Sequence, residues 1–146
     1  MQKTAAPGDD QTACNCLAIR QAARQVTQLY DRHLAAEGLR STQYSILSKL
    51  GRLGPRSVNA LAASMAMDRT TLGRALQPLQ RDRLLAVVTD ADDGRARVIR
   101  LTAAGEAKLK AAMVHWKKAQ KEFESAFGAH DAARLRGDLA RVTAAV

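Results

Sequence analysis

The segment from Met67 to Gly105 constrains the fold of this chain more than any other. A helical pattern that begins at Asp68 leads into a β-prone run at 84–88, a polar tip at 90–95 and a second β-prone run at 97–102. The order helix, strand, turn, strand is typical of a winged helix-turn-helix. That module places one helix in the major groove of DNA and a β-hairpin, the wing, beside it. The sequence therefore predicts double-stranded DNA as a partner.

Helical patterns of apolar residues flank this segment on both sides. Apolar side chains recur at three- and four-residue steps from Leu17 to Leu34, and Gly38 is expected to end that helix. The same spacing runs from Leu109 to Phe127, before Gly128. The expected helix caps are Ser41 or Thr42 for the second helix, Ser57 for the third, Asp68 for the fourth and Asp131 for the last. In the last helix, Leu135, Leu139 and Val142 are expected to face inward.

Composition favours a mainly helical, cytoplasmic protein. Hydrophobic residues make up 47% of the 146 residues and aromatic residues only 3%, a balance that favours helix packing over β-sandwiches. No apolar run approaches the roughly 20 residues that span a bilayer, so no membrane partner is expected. Residues 1–12 lack the apolar core of a signal peptide and are expected to form a disordered tail. The two cysteines are then expected to be reduced.

The charge balance points to a polyanion. The chain has 23 Lys and Arg residues against 14 Asp and Glu, a formal net charge of +9. Between Arg52 and Lys110, eleven basic residues stand against six acidic ones, a local excess of +5. Basic side chains that neutralise phosphates release condensed counterions, which favours binding to nucleic acid. By charge alone, an acidic membrane surface remains an alternative.

The expected fold class is mainly α with a small β-hairpin wing. Residues 39–102 are expected to form the winged helix-turn-helix, and residues 13–38 and 103–146 a helical dimerisation region. A winged helix alone needs only about 60–80 residues, so the terminal helices have apolar surface left for a second copy. A two-fold homodimer also suits palindromic DNA. The alternative is a monomer whose terminal helices fold back on the core.

The helix that begins near Asp68 carries the side chains expected to read DNA. At about 100° per residue, its leucines gather on one side, and Thr70, Arg74, Gln77 and Arg81 lie opposite within roughly 60° of one another. Arginine can grip the O6 and N7 atoms of guanine, and glutamine the N6 and N7 atoms of adenine. An ordinary solvated face is the alternative. Gly73 beside this stripe permits close approach, and Pro78 is expected to kink the helix or loosen its last turns.

The wing is expected to add a minor-groove contact. Arg95 would project from its tip, where a narrow minor groove attracts a cation. Asp93 could pair with Arg95 or Arg97 and hold the hairpin in shape. A calcium loop is excluded because the twelfth position counted from Asp90 is Leu101, where a bidentate glutamate is required. An exposed hairpin with no ligand is the remaining alternative.

These residues resemble the MarR (multiple-antibiotic-resistance regulator) family. Asp93-Gly94-Arg95 followed by 99–105 (Ile-Arg-Leu-Thr-Ala-Ala-Gly) is similar to its wing signature, 39–47 to its second helix, and Leu61-Ala62 with 68–72 (Asp-Arg-Thr-Thr-Leu) to its helix-turn-helix. The resemblance implies a homodimeric transcription factor, usually a repressor, that binds a palindrome and is released by a small molecule or an oxidant.

The resemblance also assigns residues. It implies that Thr70, Thr71 and Arg74 lie in the major groove and Arg95 in the minor groove. Arg83 departs from the family pattern, which has glycine there, so that it is expected to need a left-handed backbone. An aromatic acid or similar small molecule would be the usual effector, bound between the dimer helices and the winged domain.

Two cysteines open the first helix. A thiol at a helix N-terminus can carry more of the reactive thiolate. The region is similar to the hydroperoxide-sensing branch of the family, which implies Cys16 as the sensing thiol, with Cys14 beside it and Tyr30 as one of two supporting tyrosines. The second tyrosine falls at Ser41. Two small residues at a frayed helix start are the alternative interpretation.

Other classes fit the sequence less well. A thiol-dependent peroxidase is the enzyme alternative, but the chain has no Cys-x-x-Cys, nucleophile elbow, Walker loop or metalloprotease helix. His33, His115 and His130 are scattered, without the four-ligand spacing of zinc. No enzyme activity, metal or cofactor is therefore expected. A winged helix used for protein contact and a non-specific DNA-binding protein remain the further alternatives.

Overall fold

The computed structural model describes residues 13–90 and 92–146, so the expected tail at 1–12 lies outside the described residues. Within that part of the chain the helices are α1 Asn15–Leu34, α2 Ser41–Leu53, α3 Val58–Ser64, α4 Arg69–Arg81, α5 Ala103–Phe127 and α6 Ala129–Ala145. The strands are β1 Arg56–Ser57, β2 Leu85–Thr89 and β3 Arg97–Leu101. The mainly helical fold with a small β-hairpin wing, predicted from the sequence, is confirmed.

The sheet has three antiparallel strands in the order β1-β3-β2. In the wing, Leu85 pairs with Leu101 and Thr89 with Arg97. On the other side of β3, Arg56 pairs with Ile99. The sequence analysis missed β1, because two residues are too few for an alternating pattern to appear. Through β1, the wing is joined to the chain that enters the helix-turn-helix.

The core lies where α1, α2 and α5 meet the helix-turn-helix and the sheet. Helix α5 packs against both α1 and α2, and Tyr44 of α2 stacks on Trp116 of α5 with ring centroids 6.0 Å apart. The largest fully buried side chains are Leu34, Ile46, Leu47, Leu61, Leu72, Leu79 and Ile99. These side chains come from every layer of the winged domain and its first helix, so α4 and the wing are fixed to one core.

Several predicted helix ends are confirmed. Gly38, with φ of 67°, follows the 3-10 turn that ends α1, and the Ser57 side chain accepts the amide hydrogen of Ala60 at the start of α3. Gly128 separates α5 from α6 with φ of 101°. Glycine adopts such positive φ values at little cost.

Two predicted caps are wrong. Helix α2 begins at Ser41, so neither Ser41 nor Thr42 precedes it. Instead, Oδ1 of Asp31 in α1 accepts the Ser41 amide hydrogen at 2.7 Å, and Oε1 of Gln43 accepts that of Arg40 at 2.9 Å. These two oxygens satisfy backbone amides at the start of α2, which have no partner within the helix.

Helix α6 begins before its expected cap. It starts at Ala129 after Gly128, so that Asp131 lies in its first turn. Only Ala132 of this helix is buried. Leu139 and Val142, expected to face inward, are each 42% exposed. Within one chain, α6 therefore leaves much of its apolar face uncovered.

A cluster of backbone contacts fixes the wing to α5. The Thr102 hydroxyl donates to the carbonyl of Arg83 at 2.7 Å and accepts the Gly105 amide hydrogen at 3.0 Å. The Thr102 amide donates to the carbonyl of Leu84 at 3.1 Å. A Cβ on Gly105 would lie 2.1 Å from that same carbonyl oxygen. The threonine and the glycine of the wing signature are thus the parts that dock α5 onto the start of β2.

Arg83 has φ of 58°, which confirms the left-handed backbone expected from its departure from glycine. A left-handed backbone costs an L-residue about 1–2 kcal/mol. We expect Arg83→Gly to raise the free energy of unfolding by about 1 kcal/mol, measured by urea denaturation. Ala66, with φ of 51°, offers a second such site, and Ala66→Gly should also stabilise. In contrast, Ala133→Gly in α6 should destabilise. Equal destabilisation by all three substitutions would contradict this account.

Candidate nucleic-acid interface

Helix α4 starts at a double hydrogen bond between Asp68 and Thr71. The Thr71 amide donates to Oδ1 of Asp68 at 2.7 Å, and its hydroxyl donates to Oδ2 at 2.9 Å. The Asp68 cap predicted from the sequence is confirmed. Because the Thr71 hydroxyl hydrogen is engaged inside the chain, Thr71 can offer DNA only a methyl group and oxygen lone pairs.

The two faces of α4 differ in burial and in polarity. Leu72, Leu76 and Leu79 are 0%, 4% and 1% exposed. The opposite face carries exposed polar side chains, namely Thr70, Arg74, Gln77 and Arg81. The helix continues past Pro78 to Arg81, so the proline does not break it. The core thus holds α4 by its leucines and leaves the predicted reading stripe free on the surface.

The tip of the wing is held by backbone hydrogen bonds. The Asp90 amide donates to the carbonyl of Ala96 at 2.8 Å, and the Ala96 amide to the carbonyl of Asp93 at 3.0 Å. Oδ1 of Asp93 accepts the Arg95 amide hydrogen at 3.1 Å. The prediction that Asp93 shapes the hairpin by an ion pair with Arg95 or Arg97 is wrong, since none of the ion pairs among the described residues involves it. Its carboxylate shapes the turn through the backbone, and both arginines stay exposed.

The ionic contacts separate the chain into two regions. Those of the described residues lie on α1, the turn after it, α5 and α6, for example Arg32–Glu122 at 3.2 Å and Arg136–Glu124 at 3.7 Å. None of them uses a basic side chain of α4 or the wing. The guanidiniums of Arg74, Arg81, Arg95 and Arg97 are exposed and have no carboxylate partner in the part of the chain described. This surface is therefore a cationic one with its charges available to an external anion.

The sequence analysis did not predict a role in DNA binding for two basic side chains, Arg100 and Arg56, that the sheet places near the wing. Arg100 of β3 is exposed and pairs through its backbone with Ala86. Arg56 is half-buried, and its guanidinium donates to the carbonyl of Pro55 at 2.8 Å. The alternation of Arg100 with the apolar Ile99 and Leu101 could have predicted that Arg100 faces solvent, because successive residues of a strand point to opposite faces of the sheet. Nothing in the sequence pattern indicated Arg56, because it depended on the unpredicted β1.

The stabilisation that the Asp68 cap gives to α4 depends on pH. Hydrogen bonds from the Thr71 amide and then its hydroxyl lower the pKa of the Asp68 carboxyl from its ordinary 3.8. A carboxyl group whose pKa is lower in the folded state than in the unfolded state stabilises the fold at pH values above the unfolded-state pKa. This stabilisation is lost as the pH falls below about 4. We expect Asp68→Ala to lower the thermal midpoint by a few degrees at pH 7. Asp68→Asn keeps an acceptor oxygen without the charge.

The comparison of wild type with Asp68→Asn isolates the carboxylate. Circular dichroism melts between pH 7 and pH 3 should show the advantage of the wild type shrinking at the acid end. A difference that stays constant over this range would contradict the assignment of the cap.

The two cysteines lie at the start of α1, and both are free and exposed. The Leu17 amide donates to Sγ of Cys14 at 3.4 Å, which makes Cys14 the N-cap. Tyr30 is 14 residues after Cys16, about 21 Å along the helix, and its hydroxyl donates to Oε1 of Gln120. Burial, followed by the charge of Glu124, raises the pKa of Tyr30. One chain therefore does not bring Tyr30 to Cys16.

Within residues 13–90 and 92–146, no three His, Cys, Asp or Glu side chains form a group that could hold a metal ion. In the same ranges, none of the helices combines the length and the apolar character that crossing a membrane requires.

The comparisons with known proteins agree with this geometry. A sequence profile of the MarR family matches residues 37–96. The transcriptional regulator MosR of M. tuberculosis, crystallised in complex with DNA, is 39% identical over 90% of this chain and 95% of its own, with a TM-score of 0.80. The chain belongs to the MarR family. A second crystal structure of MosR is 36% identical over 91% of this chain and 95% of its own, with a TM-score of 0.78.

The MarR fold extends over nearly the whole chain. PcaV, a transcriptional regulator from Streptomyces coelicolor crystallised with its natural ligand, has a TM-score of 0.82 over 98% of this chain and 99% of its own. At 23% identity this likeness is one of fold. A comparison with curated proteins gives no match. The resemblance to the MarR family drawn from the wing and helix-turn-helix residues is confirmed.

Proposed function

We propose that this MarR protein is a transcriptional regulator, acting as a repressor, that binds a palindromic operator as a homodimer. One observation carries the proposal. The basic side chains of α4 and the wing are exposed and lack ionic partners among the described residues, and the ion pairs found there all lie on α1, the turn after it, α5 and α6. Exposed cations without ionic partners, on a helix and a hairpin, match the phosphates and base edges of DNA.

Each side chain of the stripe has a role in this proposal. Arg74 is assigned to guanine edges and Gln77 to adenine edges in the major groove. Thr70 and Arg81, at the two ends of the stripe, contact base edges or phosphates. Thr71 contributes its methyl group to the major groove, where the thymine methyl group is its natural contact.

The wing supplies a second contact to the same duplex. Arg95 is assigned to the narrow minor groove and Arg97 to the flanking phosphates. The Asp93 carboxylate accepts the Arg95 amide hydrogen. Its negative charge is therefore engaged within the turn that presents Arg95.

A second copy is the proposed occupant of an apolar groove between α1, α5 and α6. The groove has a volume of about 490 Å³. Its lining is mostly apolar and includes Ile19, Val26, Phe123, Leu135 and Leu139. Phe127 and Val142 lie exposed on the same helices. The same region, 13–38 with 103–146, was expected to form the dimer, and a two-fold pair would present two copies of α4 to one face of the duplex.

The dimer is tested by placing a charge in this groove. Leu139→Glu is expected to raise the dissociation constant of the dimer by at least about tenfold, a cost of about 1.4 kcal/mol, in sedimentation equilibrium. Ala133→Glu, at an exposed position of the same helix outside the groove, should leave it unchanged. A wild-type monomer at micromolar concentration, or equal effects of the two substitutions, would contradict the proposal.

Sequence-specific binding is tested by selecting duplexes from a random pool with the wild-type protein. The selected sites should be palindromes with half-sites about one helical turn, or a multiple of it, apart. Footprinting on the promoter of the protein's own gene then tests regulation. A selection that yields no common sequence would instead favour a non-specific DNA-binding protein.

An oxidant signal is a second candidate for this protein, since both thiols are exposed at a helix N-terminus. In this mechanism the Cys16 thiolate attacks a hydroperoxide, forming an S–O bond as the O–O bond breaks and an alcohol leaves, and the resulting sulfenic acid lowers DNA affinity. Treatment with cumene hydroperoxide should release DNA from the wild type but not from Cys16→Ser. The Cys14→Ser variant shows whether the second thiol takes part. Equal release of wild type and Cys16→Ser would exclude this route and favour a small-molecule effector.

A further inference from the structure

Gly73 lies in the middle of α4, where glycine weakens a helix relative to alanine. The backbone gives no reason for it, because the positive-φ glycines of the described residues are Gly38, Gly54 and Gly128. Packing gives no reason either, since nothing lies within 4 Å of a Cβ built on Gly73. Gly105 differs in this respect, with a backbone oxygen 2.1 Å from its Cβ position. The fold of one chain therefore does not require glycine at position 73.

The position of Gly73 on the helix points outside the chain. At about 100° per residue it lies within about 60° of Thr70 and 40° of Gln77, at one edge of the exposed stripe. Both of these neighbours are exposed. The edge of the stripe is the part of a reading helix that faces a wall of the major groove.

Space in that groove is tight. A helix with its side chains is about 10–12 Å across, and the major groove is about 12 Å wide. A Cβ adds about 1.5 Å to the helix surface on one side. The absence of a side chain therefore permits the axis of α4 to move towards one wall and the stripe to reach the base edges.

We propose that Gly73 is the point of closest approach between the backbone of α4 and a sugar–phosphate strand, and that it sets how deeply Thr70, Arg74 and Gln77 enter the groove. This inference rests on the proposed DNA-binding function. It assigns Gly73 a positioning role and no contact through a polar group.

The test compares Gly73→Ala and Gly73→Leu with the same two substitutions at Gly137, a helical glycine of α6 that also has nothing within 4 Å of its Cβ position. Both alanine variants should have a higher thermal midpoint than the wild type, because alanine favours the helix. Affinity for the duplex selected by the wild type should fall about tenfold for Gly73→Ala, further for Gly73→Leu, and not at all for the Gly137 variants.

Salt dependence separates this steric effect from the loss of a charge. The slope of log affinity against log salt should be the same for Gly73→Ala as for the wild type, because no cation is removed. Wild-type affinity in Gly73→Ala, or a lower thermal midpoint for that variant, would overturn the role of Gly73 while leaving the proposed function intact. A wild type that binds no duplex would overturn the proposed function, and the role of Gly73 with it.

Discussion

Gly105→Ala is expected to destabilise the protein by about 3 kcal/mol, at the upper end of the range for overpacked sites. The new Cβ would lie 2.1 Å from the carbonyl oxygen of Leu84 and 3.0 Å from its carbon. Both groups are backbone, and that oxygen already accepts the Thr102 amide hydrogen. The clash can be relieved only by moving α5 away from β2, which breaks the attachment of the wing.

Two other glycines calibrate this prediction in urea denaturation followed by circular dichroism. Gly137→Ala meets nothing within 4 Å and should stabilise. At Gly51 the Cβ would lie 2.6 Å from Cδ2 of Leu109, the end of a flexible side chain, so Gly51→Ala should destabilise less than Gly105→Ala. A loss below about 1 kcal/mol for Gly105→Ala would mean that the contact between α5 and Leu84 is not a rigid one.

Arg74→Ala is expected to lower the affinity for the selected operator by about 1–3 kcal/mol and to relax the base preference at the contacted position. The prediction follows from the exposure of Arg74 on the stripe, about one turn after Thr70, without an ionic partner among the described residues. The affinity of Arg74→Ala for random duplex should fall less than its affinity for the operator, because contacts to base edges determine sequence specificity.

Arg134→Ala is the matched control, since it removes the same charge from an exposed position on α6. It should change operator affinity little. Fluorescence anisotropy titrations of both variants against operator and random duplexes measure the difference. Equal losses on the two duplexes for Arg74→Ala would exclude Arg74 from base recognition, and no loss on either would exclude it from the interface.

The sequence carried most of the information for α4 and the wing, because their signals are local. The cap at Asp68 and the leucines that define its inner face lie within one helix, and the Asp-Gly turn lies between two β-prone runs. The structure places Thr70, Arg74, Gln77 and Arg81 on the surface as the helical period requires. Whether these side chains contact DNA stays a prediction.

Features that depend on distant residues were missed. The start of α2 is satisfied by Asp31, ten residues earlier on another helix, and no local pattern indicates that contact. The strand at Arg56 exists only through pairing with β3. The face of α6 was expected to be buried, but Leu139 is 42% exposed. Amphipathic spacing shows that a face is apolar but not what covers it.

Hydroxyl-radical footprinting of the wild-type protein on a selected operator tests the central claim most directly. If paired copies of α4 and the wing bind adjacent grooves, protection should fall in two symmetry-related segments whose centres are about 10–10.5 base pairs, or a multiple, apart. Arg95→Ala should remove only the minor-groove part of each segment. A single segment without two-fold symmetry, or uniform protection along the duplex, would contradict the account.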